Sequence, residues 1–236
     1  MFHKLKIILA GLAVAAPALA GMGDVVSSFD ITAPGEGLAW DGQYLWTLGQ
    51  PAVHIWRMTT TGSVVSSFKL TPASYGYYHG VTYDGQYLWT AWYRDFDPSS
   101  TLGKYTITGS RVGGFIAFAT YAGLAWENGY LWHDNWKFTT AGSFVGSFKR
   151  PIILNDLAWD GHYLWSGRDE NDYVYRVSTA GSIAASFLSP GGEAYGMTFD
   201  GLYLWLVAKN GWAYQVDIDV QGVNPGSFGK IKGLYR

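Results

Sequence analysis

Five times along the chain a short apolar stretch, a polar turn and a second apolar stretch follow one another. In the first copy Leu38 and Trp40 alternate with the small Ala39, which is the period of a strand. Asp41-Gly42 comes next, a pair that predicts the positive φ of a two-residue hairpin. Tyr44, Leu45 and Trp46 then open a second strand rich in β-formers. The stretch Gly37 to Trp46 returns as Gly80 to Trp89, Gly123 to Trp132, Asp156 to Trp165 and Gly196 to Trp205. In the third copy the turn reads Glu127-Asn128-Gly129, so the Asn-Gly pair stands one place later and predicts a change of register.

Each copy is followed by an aromatic–polar–apolar triplet: Trp56-Arg57-Met58, Tyr105-Thr106-Ile107, Trp136-Lys137-Phe138, Tyr175-Arg176-Val177 and Tyr214-Gln215-Val216. These predict third strands. Four triplets run into a Gly turn and a fourth strand, at 64–68, 111–115, 144–148 and 183–187. The fifth has none, but 23–29 matches 62–68 with one change. The N-terminal strand is therefore predicted to complete the last unit and shut the ring, leaving no open end to the array. Five closed units of four antiparallel strands, repeating at about 40 residues, predict an all-β, five-bladed β-propeller. The domains expected are a leader at 1–20, the propeller at 21–218 and a C-terminal tail at 219–236.

Composition narrows the function classes. Of 236 residues 48% are hydrophobic, 17% aromatic and 14% charged, which suits a packed β domain. The net charge of −2 comes without a basic block, so no nucleic-acid partner is expected. The absence of cysteine excludes disulfides, thiolate zinc sites, iron–sulfur clusters and a Cys nucleophile. Lys4 and Lys6, the apolar run Ile7 to Ala16 and Ala18-Leu19-Ala20 form a secretory signal pattern too short to span a membrane. A secreted or periplasmic protein with no membrane span after cleavage is expected. The tail ends in the basic Lys230-Ile231-Lys232-Gly233-Leu234-Tyr235-Arg236, an address or docking segment or a terminus packed loosely on the ring.

On these repeats the chain resembles short secreted bacterial β-propellers whose units read Gly-Leu-Ala-Trp-Asp-Gly-x-Tyr-Leu-Trp. Two five-bladed relatives imply different activities. Plant-type glutaminyl cyclotransferases are enzymes, similar at a Gln-Gly-Leu where this chain has Glu36-Gly37-Leu38. Tachylectin-like propellers bind one sugar per blade, a likeness in blade number. In propellers the loops joining strand four to strand one and strand two to strand three share a face. Here that face carries the irregular loops, where binding concentrates. Ahead of each inner strand stand Glu36, His79, Ala122, Asn155 and Tyr195, five unlike residues at the mouth of the channel. Blade two adds loops holding Tyr75, Tyr77, Tyr78 and His79, and Trp92-Tyr93-Arg94-Asp95-Phe96-Asp97. Aromatic faces beside charged groups suit sugar stacking or a protein contact, and also suit the packing of one loop on the other.

Other residues invite chemistry less strongly. His133-Asp134-Asn135 is a tight turn or a pair of metal ligands. Residues 168–172 form an acidic stretch able to hold Ca²⁺ through oxygen, without EF-hand spacing; no other cofactor is expected. Glu36 and Glu193 lead into neighbouring blades and are the carboxylate pair a sugar-cleaving enzyme would need. The expectation is a non-catalytic recognition or assembly protein that binds a glycan, a surface protein or its own copies. The alternative is an enzyme with its site at the channel mouth, either cyclotransferase-like or a polysaccharide lyase or hydrolase.

Overall fold

The computed structural model describes residues 21–31, 35–49, 53–70, 76–93, 99–118, 123–168 and 171–218. The leader and the tail lie outside the described residues. The rest forms five four-stranded antiparallel sheets set around an axis, a five-bladed β-propeller. Blade 1 is β2 (Gly35–Trp40), β3 (Leu45–Gly49), β4 (His54–Met58) and β5 (Val64–Lys69), following the N-terminal β1 (Val25–Asp30). Blade 2 is β6 (Tyr77–Tyr83), β7 (Leu88–Tyr93), β8 (Ser100–Tyr105) and β9 (Arg111–Ala117). Blade 3, with the shortest strands, is β10 (Leu124–Glu127), β11 (Tyr130–His133), β12 (Trp136–Thr139) and β13 (Phe144–Ser147). Blade 4 is β14 (Leu157–Trp159), β15 (Leu164–Arg168), β16 (Asn171–Val177) and β17 (Ile183–Leu188). Blade 5 takes β18 (Ala194–Phe199), β19 (Leu204–Ala208) and β20 (Trp212–Val216) from the C-terminal part. Its outer strand is β1, paired antiparallel with β20 from Val25↔Val216 to Asp30↔Trp212, as the matching of 23–29 with 62–68 requires.

The repeat is legible as packing. The strand-two tryptophans Trp46, Trp89, Trp132, Trp165 and Trp205 are all buried between blades. Burying about 200 Å² of indole at about 25 cal/mol per Å² is worth roughly 5 kcal/mol each before entropy. Each meets a strand-four phenylalanine at 5.6–6.3 Å between ring centroids: Phe68, Phe115, Phe148 and Phe187 in blades 1 to 4, and Phe29 in blade 5. Phe29 comes from the N-terminal strand, so the closure reproduces the contact made inside every other blade.

The Asp of the repeat serves three donors. Asp41 Oδ1 accepts the N–H groups of Gln43 and Tyr44, and Oδ2 accepts Trp46 Nε1–H at 2.8 Å. Asp84, Asp160 and Asp200 repeat the pattern. Because the Asp side chain replaces a ladder bond, the two central turn residues are Gly42-Gln43, one place later than Asp41-Gly42. Positive φ falls on Gly42 alone (93°), at the first central position as in a type II′ turn. In blade 3 both Asn128 (41°) and Gly129 (98°) have positive φ, the type I′ pattern. No change of register accompanies it: Trp126 pairs with Leu131 as Trp40 pairs with Leu45. Glu127, one carbon longer than Asp, still takes the Trp132 indole N–H.

Candidate functional site

Around the axis the inner strands β2, β6, β10, β14 and β18 touch their neighbours, and β18 meets β2 to close the hub. One residue of each repeat sits at the narrowest level: Gly37, Gly80, Gly123, Asp156 and Gly196. A Cβ on Gly80 would stand 2.6 Å from Gly123 Cα, and one on Gly37 would stand 2.8 Å from Val81 N. Backbone therefore packs on backbone, and glycine is required by space. The fourth repeat breaks the column. Asp156 is 1% exposed, and its Oδ1 fills the space where a Cβ of Gly123 would lie.

The Asp156 carboxyl is held by backbone donors. Oδ2 accepts the Met197 N–H at 2.5 Å, from blade 5. The N–H groups of Leu157, Leu124 and Leu38, from blades 4, 3 and 1, also face it. Burial pushes its pKa well above the ordinary carboxylate range, and those four donors act against the shift. Oδ1 has no partner at hydrogen-bonding geometry among the described residues. The Asp156 side chain thus fills the space that the glycines leave at this level. The signal is present in the sequence: one Asp in a column of four glycines across the five copies.

Of the five residues expected ahead of the inner strands, three lie inside them. Ladder irregularities fall between Gly35 and Leu38, between Tyr78 and Gly80, and between Ala194 and Gly196. Glu36, His79 and Tyr195 occupy these bulges, half-buried, where the chain carries an extra residue that the partner strand does not match. Asn155 does precede its strand; its carbonyl accepts the Gly123 N–H. Ala122 lies outside the described residues.

Strand two carries a buried polar side chain at the level of the hub glycines. Thr47 Oγ1 donates to Gly37 O at 3.0 Å. In blade 3 the same place is taken by His133, fully buried, with Nδ1 3.2 Å from Gly123 O. A carbonyl only accepts, so Nδ1 carries the proton and serves the backbone. Its neighbour Asp134 turns the chain at φ 56° and pairs with Arg150 Nη1 at 3.0 Å.

The blade-two aromatics require a correction. Tyr77, Tyr78, Trp92 and Tyr93 were expected on loops, and all four are strand residues: Tyr77 pairs with Tyr93 and Tyr78 with Trp92. The long inner hairpin lifts the pleat toward the face. Tyr93 is only 6% exposed and Tyr78 3%, so neither offers a free ring. Tyr78 is buried against Tyr105, and a small cavity of about 40 Å³ lies beside them, lined also by Thr90, Trp92 and Arg111. Tyr77 is 48% exposed, and the His79 ring lies 6.4 Å from it and 6.3 Å from Tyr93. Arg94, Asp95 and Tyr75 lie outside the described residues.

Glu193 accepts hydrogen bonds from Lys209 Nζ at 3.0 Å and Tyr195 OH at 3.2 Å. The Lys209 bond, then that of Tyr195, holds its pKa below the usual value, the opposite of what a general acid needs. Of the acidic stretch, Asn171 and Asp172 belong to β16, and 169–170 lie outside the described residues. Among the described residues no three His, Asp or Glu side chains gather as metal ligands.

No protein-family model and no curated protein sequence matches the chain. Solved structures do. The glutaminyl cyclase of Myxococcus xanthus is similar over 84% of this chain and 98% of its own, with TM-score 0.69 and 12% identity. The PQQ-bound aldose sugar dehydrogenase of Streptomyces coelicolor gives TM-score 0.53 at 13% identity, over 82% of this chain and 97% of its own. The calcium-binding protein regucalcin of Agrobacterium tumefaciens gives 0.52 at 13%, over 84% and 95%. At such identities the likeness is one of fold, and what it establishes is that this chain is a β-propeller.

Proposed function

We propose that the protein is an exported recognition module that binds a glycan at the mouth of its channel, on the loop-rich face. The observation that carries this reading is the set of bulges. Glu36, His79 and Tyr195, three polar residues of different chemistry, fall at ladder irregularities one residue ahead of Gly37, Gly80 and Gly196, and Asn155 holds the matching place ahead of Asp156. The exposed ring of Tyr77 stands next to His79 at the rim. A flat aromatic face stacks on the C–H face of a pyranose, and Glu, Asn and Tyr groups exchange hydrogen bonds with hydroxyls. A glycan array followed by titration calorimetry tests it. Wild type should retain a sugar class that Tyr77→Ala and Glu36→Gln each bind at least about tenfold more weakly, a loss of about 1.4 kcal/mol. Binding unchanged in both variants would refute the site.

One observation favours a second reading, an enzyme. Glu36-Gly37-Leu38 stands at the inner strand where plant-type glutaminyl cyclotransferases carry Gln-Gly-Leu, and the glutaminyl cyclase above shares the fold over nearly its whole length. Cyclisation of an N-terminal glutaminyl peptide, lost in Glu36→Ala but kept in Glu36→Gln, which restores the Gln-Gly-Leu of those enzymes, would favour the enzyme over the binder.

A further inference from the structure

We propose that the hub of the ring is a carboxyl cradle built from backbone N–H groups, and that its occupant is the chain's own Asp156 side chain. The donors come from four blades: Leu38, Leu124, Leu157 and Met197 each stand one residue after the narrow level. Converging N–H groups offer only donors, and the one acceptor-rich group among them is the Asp156 carboxyl. Space admits a single such group. A Cβ on Gly123 would already stand 1.6 Å from Oδ1, so the other four positions must stay glycine.

The placement matters for closure. Leu38 and Met197 belong to blades 1 and 5, the two sheets that meet where the ring shuts. At the rim that joint is held by β1 on β20. At the hub β18 packs directly on β2, and the Asp156 carboxyl accepts the Met197 N–H from 41 residues away and faces that of Leu38. A free anion of the same shape, a small monocarboxylate, should fit once the side chain is removed.

Asp156→Gly restores the residue the other four repeats carry, and that makes it a sharp test. If the Asp merely fills space, the variant loses stability to the cavity and to glycine's freedom, and formate returns none of it. If the Asp is the ligand of the cradle, Asp156→Gly melts about 5–10 °C lower. Sodium formate at ~0.1–0.5 M should then recover at least half the loss along a saturating curve. Wild type, and the variant in sodium chloride of equal ionic strength, should not shift in that way. Asp156→Asn, which turns an amide NH₂ toward N–H donors while keeping the space filled, should also melt lower and gain nothing from formate. Should Asp156→Gly not fold unaided, its refolding yield is read against formate, and a yield that ignores formate overturns the proposal. So does an unchanged melting temperature, or a loss that chloride reverses equally.

Discussion

Asp134→Asn should stabilise the protein at neutral pH and not in acid. Asp134 is 4% exposed; its Oδ2 meets Arg150, and its Oδ1 has no hydrogen-bond partner among the described residues. Burial pushes its pKa from 3.8 up to about 6, with the Arg150 guanidinium and the Asn135 N–H acting against the shift. Between these values the folded state binds the proton more tightly than the unfolded chain does. Stability from this group is therefore fully present below pH ~4 and is lost as pH rises through ~6. The shift of about two units corresponds to roughly 3 kcal/mol at neutral pH. Asparagine keeps the shape, tolerates φ 56°, and carries no charge to bury. The ion pair it forfeits, to an Arg150 side chain 47% exposed, is already counted in that net shift. The gain at pH 7.5 is therefore about 2–3 kcal/mol, vanishing or reversing at pH 4. Urea denaturation of both proteins from pH 4 to 8 reads the difference, which cancels groups the two share. A difference independent of pH, or a variant weaker throughout, would refute the reasoning.

Three further outcomes follow from the packing. Gly80→Ala forces a Cβ to 2.6 Å from Gly123 Cα and should cost about 3 kcal/mol or prevent folding, whereas Gly113→Ala, with nothing within 4 Å, should be near neutral in the same melt. Asp160→Ala leaves the His162 and Tyr163 N–H groups and the buried Trp165 indole N–H without their acceptor, at about 2–4 kcal/mol by chemical denaturation. Phe29→Ala removes the closing strand's contact with Trp205 and should cost about 2 kcal/mol, with faster proteolysis near the N-terminus than in Phe68→Ala.

Much of the fold was legible because each repeat solves the same local problem. Alternation gave the strands, Gly turns gave the hairpins, and the likeness of 23–29 to 62–68 gave the closure. What stayed hidden depends on neighbours from other blades. Tyr93 reads as an exposed loop aromatic because nothing local shows that Tyr77 will pair with it. Glu36, His79 and Tyr195 stand out in the sequence by their variety, but a bulge is set by ladder geometry and not by their identity. Asp156 touches Leu38, Leu124 and Met197, residues brought together only when the circle shuts.

The two faces can be told apart by what their charges already do. On the face of the Asp-Gly turns, Arg57 lies 4.0 Å from the Tyr44 ring centroid and pairs with Asp41. Lys104, Lys137 and Arg176 lie in the same way over Tyr87, Tyr130 and Tyr163. Blade 5 has Gln215 in that place, bonded to Asp200. In blades 1 to 4 a cation thus lies over the aromatic pair, in blades 1 to 3 it also meets the turn carboxylate, and the pattern repeats because it holds the hairpin and its tryptophan together. A ligand there would have to displace contacts the fold itself uses. At the mouth the five positions differ from blade to blade, and bulges set three of them off the ladder. An environment that folding leaves free to vary is the one a specific ligand can be fitted to, which is why the variants that discriminate between binder and enzyme belong at Glu36 and Tyr77.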